Sequence, residues 1–278
     1  MRKLVLIVPL ILFSACDRKS DTPAATPSAS VPAVASSAPS PVATAELAAT
    51  GTPTGGARNT EEETSLYNFT YSYPAQAGAI PALKALLDAD ADKQRTLLIG
   101  QASEGRAAAK AGGFNYNPYD RQTGWQLVTD IPGWLSLSAA IGSYVGGAHP
   151  NHWFDALLWD KGAGRRRQAS DLFHSKAALS QAIRQDFCRE LDKQREVKRG
   201  EPVVRTKDDM FSECIDPAKN TIILGSSNRR SFDRIGVLVA PYQAGPYVEG
   251  DYEVTLPVTA AVLAAVKPEY RASFAAKR

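Results

Sequence analysis

The chain has 278 residues, 44% hydrophobic and 22% charged, and its formal net charge of +3 becomes +1 (30 Lys and Arg against 29 Asp and Glu) once Arg2 and Lys3 are set aside as part of a leader. This composition excludes a wholly disordered chain and supplies apolar side chains for a sizeable core, in one domain or two small packed ones. The near-neutral balance excludes nucleic-acid binding and recruitment of a polyanion by bulk charge. Basic character is local, in Arg165-Arg166-Arg167, in 193–199 and in Arg229-Arg230, and reads as solvated turns and helix faces.

Residues 1–15 read as a bacterial lipoprotein signal peptide: cationic Arg2-Lys3, an apolar run over 4–13, then Ser14-Ala15 immediately before Cys16. The apolar run of about ten residues is too short to span a bilayer. Cys16 is the expected site of lipidation, palmitate included, and so the expected tie to the membrane. Asp17, directly after it, resembles a retention signal that favours the inner membrane over the outer, with the protein on the periplasmic face. Residues 16–64 then read as the lipidated cysteine and a tether of Ala, Ser, Thr, Pro and Gly. A flexible tether of this length has a mean span of roughly 40 Å, enough to hold a domain off its membrane.

The folded part is expected over 65–278. Leu66, Asn68, Thr70 and Ser72 alternate with Tyr67, Phe69, Tyr71 and Tyr73, a period of two that predicts a strand with one aromatic face. Pro81 suits a first helical turn and opens a helix running to about residue 110. Strands follow over 124–129, 134–144 and 153–159, joined by Gly-rich turns including Gly146-Gly147, in the manner of an antiparallel meander. A second helix runs from the N-cap Ser175 through Leu179, Ile183, Phe187 and Leu191 to Gly200 and Pro202. Strands over 221–224, 234–239 and 252–256 and a short amphipathic helix over 258–266 complete the chain. Strands and helices mix without regular βαβ alternation, so the predicted class is α+β, an antiparallel sheet packed against a few helices.

With Cys16 assigned to lipid, Cys188 and Cys214 remain as an even pair in an oxidising compartment, which predicts a disulfide. Nucleophile elbows, metalloprotease helices, Walker loops and dinucleotide fingerprints do not occur, so no catalytic set, metal or cofactor is predicted. The three histidines are His149, His152 and His174. His149 and Asn151, in the turn Gly146-Gly147-Ala148-His149-Pro150-Asn151, read first as turn residues bonding to backbone. Tyr242 and Tyr247, beside Glu249 and Asp251, could hold a sugar by stacking, although Pro241, Gly245, Pro246 and Gly250 make the same stretch a turn between strands. His149, Asn151, Tyr242 and Tyr247 are the candidate ligand-binding residues.

The run from Tyr144 to Asn151, followed by 154–160 and Asp171-Leu172-Phe173, resembles the first half of the RsiV C-terminal domain family. The run from Ala240 to Gly250, then 254–258, is similar to its second half. Residues 65–140 hold the place of the partner domain in PdaC-type proteins, and 141–278 that of the RsiV-like part. The resemblance implies an extracytoplasmic α+β domain, of a kind found in the outer part of an anti-sigma factor that recognises lysozyme and in a module preceding peptidoglycan deacetylase domains. This chain departs from both, having neither a membrane-spanning helix with a sigma-binding segment nor a deacetylase domain, and no site residue carries over. Its near-neutral charge offers basic lysozymes little steering. The expectation is a lipid-anchored, non-enzymatic periplasmic module that binds peptidoglycan glycan or a wall-active protein such as lysozyme. The alternatives are a hydrolase of peptidoglycan fragments using Asp155 or Asp251 with His149, a lysozyme-inhibitor-type protein, and a purely structural lipoprotein.

Overall fold

A computed structural model describes residues 56–206 and 211–276. The leader, Cys16 and the tether as far as residue 55 lie outside the described residues. The described part is α+β, with two mostly antiparallel sheets and helices on their outer faces. The first sheet has six strands in the order β1 (Arg58–Glu63), β2 (Tyr67–Tyr73), β3 (Tyr119–Ile131), β4 (Trp134–Tyr144), β5 (Asn151–Asp160) and β6 (Arg165–Arg167). The second has three, β7 (Thr221–Gly225), β8 (Arg234–Val239) and β9 (Tyr252–Pro257).

β1 corrects the boundary expected for the tether. Its sequence, Arg-Asn-Thr-Glu-Glu-Glu, has no large apolar residue to announce a strand, yet it pairs antiparallel with β2 from Arg58↔Tyr73 to Glu63↔Asn68. Its inward side chains are satisfied by neighbours: Glu62 accepts from Arg95 at 2.7 Å and from the Tyr67 hydroxyl at 2.7 Å, and Arg58 meets Asp88 at 2.8 Å. β2 and β3 pair in parallel, with the short helix α1 (Ala75–Gly78) and the long helix α2 (Pro81–Gly112) as the crossover between them. The rest of the sheet is the antiparallel meander expected. β6 is a second correction: its three arginines pair with Leu158, Trp159 and Asp160 as an edge strand rather than forming a solvated turn.

α2 starts at Pro81 and stops at Gly113, whose left-handed φ of 71° closes the last turn. It covers the face of the first sheet that carries Tyr67, Phe69, Tyr71, Tyr73 and Trp125, and contributes Leu83, Leu87, Ala91 and Leu98 to that core. Inside it, the Trp125 indole N–H donates to the Tyr71 hydroxyl at 3.0 Å, which donates onward to Asp90 at 2.9 Å. A second core lies between the three-stranded sheet and α3 (Lys176–Arg199), and takes Trp134 and Leu158 from the first sheet and Val262 from α4 (Ala260–Ala265). Ser175 caps α3 by accepting the Ala178 N–H, and Gly200 at φ 73° ends it, both where the sequence places them. Trp134 ties β4 of the first sheet into the second core, donating to the Ser273 hydroxyl at 2.9 Å with its ring 6.1 Å from Phe232.

Where α2 meets β1 and β2, Asp88 accepts from Lys84, from Arg58 and from the Tyr73 hydroxyl. The Lys84 hydrogen bond, with the Arg58 and Tyr73 bonds, outweighs burial and holds its carboxyl down at about 2. A depressed carboxylate contributes stability above its unfolded pKa of roughly 4 and loses it as pH falls through the folded value. Asp88→Asn is therefore expected to lower the melting temperature at pH 7 and to shrink the drop seen between pH 4 and pH 2. Thermal melts of both proteins across pH 2–7 test this, and parallel curves would count against it.

Candidate functional site, an aromatic surface on two loops

Two connections on the strand ends carry the candidate residues. Between β4 and β5, Gly146 and Gly147 adopt φ values of 90° and 102°, which L side chains rarely reach, and this reverses the chain into His149-Pro150. Between β8 and β9, residues 240–251 form an irregular loop with one 3-10 turn, Tyr247–Glu249. Within it Tyr242 adopts a left-handed φ of 67°, a conformation that costs a residue with a side chain roughly 1 kcal/mol.

The two loops bring three rings together. His149 stacks on Tyr247 with centroids 4.2 Å apart and planes 26° off parallel, and Tyr242 lies 5.5 Å from Tyr247 and 6.3 Å from His149. The Pro150 carbonyl accepts from the Tyr247 hydroxyl at 2.9 Å and lies 2.9 Å from His149 Nδ1. A carbonyl only accepts, so Nδ1 faces it as a donor, and Nε2 lies 3.3 Å from the Tyr242 hydroxyl. Tyr242 remains 52% exposed and the neighbouring Val248 90% exposed, so the cluster faces solvent.

The end of α3 supports the β8–β9 loop. Arg199 donates to the Glu249 carboxylate at 2.9 Å, and the Tyr252 hydroxyl donates to the same group. Burial pushes the Glu249 carboxyl up, but the bonds from Arg199 and Tyr252 outweigh it and leave it below the usual carboxylate range. Burial likewise pushes the Tyr252 hydroxyl up, and its bond to Glu249 pushes it further. Lys198 donates to the carbonyls of Glu249 and Asp251 and sits 4.1 Å over the Tyr252 ring. A Cβ at Gly245 would run into the Glu249 carboxylate and lie 3.0 Å from the Tyr252 hydroxyl, so a larger residue there would displace the carboxylate.

Of the four predicted binding residues, the structure brings His149, Tyr242 and Tyr247 into contact. Asn151 is exposed at the start of β5, opposite Ser143, and takes no part in the ring contacts. Asp155 lies farther along β5, 3.2 Å from Arg166, and Asp251 meets Lys198 through its carbonyl, so neither is placed as a partner of His149. Cys188 and Cys214 are disulfide-bonded, as their even number predicts. A cavity of about 180 Å³ lined by Asp155, Gln168, Lys176, Lys219 and Asn220 shares no residue with the ring cluster. Sequence reasoning missed Arg195 and Arg199, which sit in a basic run read as a solvated helix face. The signal available was spacing: Arg195 lies four residues beyond Leu191 and continues the buried stripe of α3, and Arg199 lies four residues beyond Arg195.

Residues 60–152, about a third of the chain, match the family described as Deacetylase PdaC. The match runs from β1 to the start of β5, taking in His149 but not the loop with Tyr242 and Tyr247. Among solved structures, the chain is similar to a DUF3298 family member from Bacteroides fragilis, at 17% identity over 73% of this chain and 89% of that one with a TM-score of 0.44. It is also similar to a DUF3298 family protein from Pseudomonas aeruginosa, at 15% identity over 80% and 96% with a TM-score of 0.43. No curated protein matches the chain. Among the described residues no helix is long and apolar enough to cross a membrane. Over the matched third the chain is similar to PdaC-type domains, and that likeness supports an extracytoplasmic, envelope-associated domain.

Proposed function

We propose that this protein is a lipid-anchored periplasmic binding module, tethered through Cys16, whose His149–Tyr242–Tyr247 surface takes cell-wall glycan. The observation that carries the reading is the meeting of three rings from loops 93 residues apart in sequence on one solvent-facing surface. Ring faces accept the apolar C–H face of a sugar, while hydroxyls and ring nitrogens orient its polar edge. The left-handed backbone at Tyr242 adds weight, because a strained residue persists only where its surroundings hold it. The two loops are also those on which the likeness to RsiV C-terminal domains rests. A binding role is favoured over hydrolysis by an Asp–His pair because His149 engages a carbonyl and a phenol, whereas Asp155 bonds to Arg166 and Asp251 meets Lys198.

The test is retention on purified peptidoglycan, competed by soluble muropeptide. Tyr242→Ala and Tyr247→Ala are each expected to weaken retention about tenfold or more, as truncation of a central aromatic does at a binding surface. Both variants should melt close to the parent, since the rings lie outside the two cores. Undiminished retention by both would sink the reading. Recovery of a single envelope protein without wall binding would replace the glycan with a protein partner.

A further inference from the structure

The last two turns of α3 connect the disulfide to the ring surface through one side chain. Arg195 is completely buried, at 0% exposure. Its Nε–H donates to the Ala244 carbonyl at 2.9 Å, and its Nη1 donates to the Glu213 carbonyl at 3.0 Å, with Asp192 at 3.3 Å and the Ser212 carbonyl at 3.5 Å. Its Nη2 is buried with no hydrogen-bond partner. Taking a guanidinium out of water is costly unless hydrogen bonds replace the lost hydration, so its position is governed by the acceptors it keeps. Asp192 lies on α3 itself, and the carbonyl acceptors lie on two other segments. Glu213 precedes Cys214, which is bonded to Cys188 two turns earlier on the same helix. Ala244 lies two residues from Tyr242 and three from Tyr247, in the loop that presents the rings. A planar fork with fixed N–H directions transmits the placement of one carbonyl to the other in a way that a flexible ammonium does not.

We propose that Arg195 is a positioning residue for the aromatic surface, and that the Cys188–Cys214 disulfide acts through it, so that the redox state of the pair sets the His149–Tyr247 stack. In the oxidised chain, Cys214 fixes the Glu213 carbonyl over the helix, Arg195 fills the space between Glu213 and Ala244, and the loop holds Tyr247 against His149. On reduction, a dithiol supplies two electrons and two protons, the S–S bond breaks, two thiols form and the reductant leaves as its own disulfide. The segment at 211–214 then loses its covalent tie, Arg195 loses a fixed acceptor, and the Ala244 loop loosens. Both cysteines are partly exposed. The consequence for ligand binding rests on the reading of the rings as a binding surface, whereas the coupling itself does not.

The experiment uses the full chain in detergent, with amide hydrogen exchange over 240–250 and the ring signal of His149 as readouts. The signal is shifted by the Tyr247 ring stacked 4.2 Å away and belongs to one of only three histidines. Reduction of the parent by a dithiol is expected to speed exchange over 240–250 about tenfold or more and to erase the His149 shift, with β3–β5 still protected. Arg195→Lys should do the same in the oxidised chain. Adding Cys188→Ser and Cys214→Ser to Arg195→Lys should then change little further, because groups acting through one residue are not additive. A reduced parent with unchanged exchange over 240–250 and an unchanged His149 signal overturns the inference, as do effects of Arg195→Lys and disulfide loss that simply multiply. Peptidoglycan retention of the same samples separates the two readings: a loosened loop with full retention sinks the glycan surface and leaves the coupling standing.

Discussion

Phe69→Ala is expected to cost about 3 to 5 kcal/mol, the range for removing a buried aromatic ring, and to lower the melting temperature by on the order of 10 °C for a folded part of this size. Phe69 is fully buried in the middle of β2, with its ring 6.4 Å from that of Tyr71, and faces α2. Its neighbours cannot collapse into the gap easily. β2 is held between β1 and β3, and Tyr71 is fixed by the Trp125 and Asp90 hydrogen bonds. Thr70, one residue on, points to the opposite face, and Thr70→Ala is expected to stay within about 0.5 kcal/mol. Urea melts of the pair measure the contrast. A loss below about 1 kcal/mol for Phe69→Ala would mean that the helix–sheet core is not where the stability lies.

The same period of two that separates Phe69 from Thr70 made β2 legible in the sequence, and the cap and stop signals Ser175 and Gly200 did the same for α3. These are local signals, in which the residue that terminates or buries an element lies within it. β1 and β6 escaped because their evidence is not local. A strand of Glu and Arg forms where a neighbour offers both an open edge and opposite charges, and neither is visible in a six-residue window. The parallel pairing of β2 with β3 escaped for a related reason: it depends on the 32-residue helix α2 folding back between them. The ring residues could each be picked from Gly- and Pro-rich turns, since such turns expose what they carry. Their convergence could not be read, because it comes from the packing of one sheet's loop on the other's. Asn151 shows the limit, being adjacent to His149-Pro150 in the chain yet apart from the rings in space. Arg195 shows the opposite limit, a charge in register with the buried stripe of α3 whose place in a run of charges masked that signal.

Replacing both Cys188 and Cys214 by serine is expected to cost about 3 to 4 kcal/mol, the loop-closure entropy returned to the unfolded chain when a loop of about 27 residues is released. The two positions are 26 residues apart in sequence with Cα atoms 5.5 Å apart. The native contacts around the bridge do not all depend on it. In the bridged chain Arg184 also reaches the Cys214 carbonyl at 3.0 Å, and Ser180 donates to Asp216 at 2.6 Å, contacts that do not pass through the sulfurs. Most of the cost should therefore come from the unfolded state. Urea titrations of the oxidised parent and the double variant give the difference in midpoint, and hydrogen exchange divides it. If global unfolding accounts for the whole loss while 240–250 opens on its own at lower free energy, the bridge has two separable effects, one on the unfolded chain and one on the loop held by Arg195. A loss well above about 4 kcal/mol would exceed what chain entropy supplies and would mean that the buried Arg195 contacts unfold together with the bridge. A loss below about 1 kcal/mol would contradict the entropic account outright, and the disulfide would then matter for the position of the loop rather than for the stability of the fold.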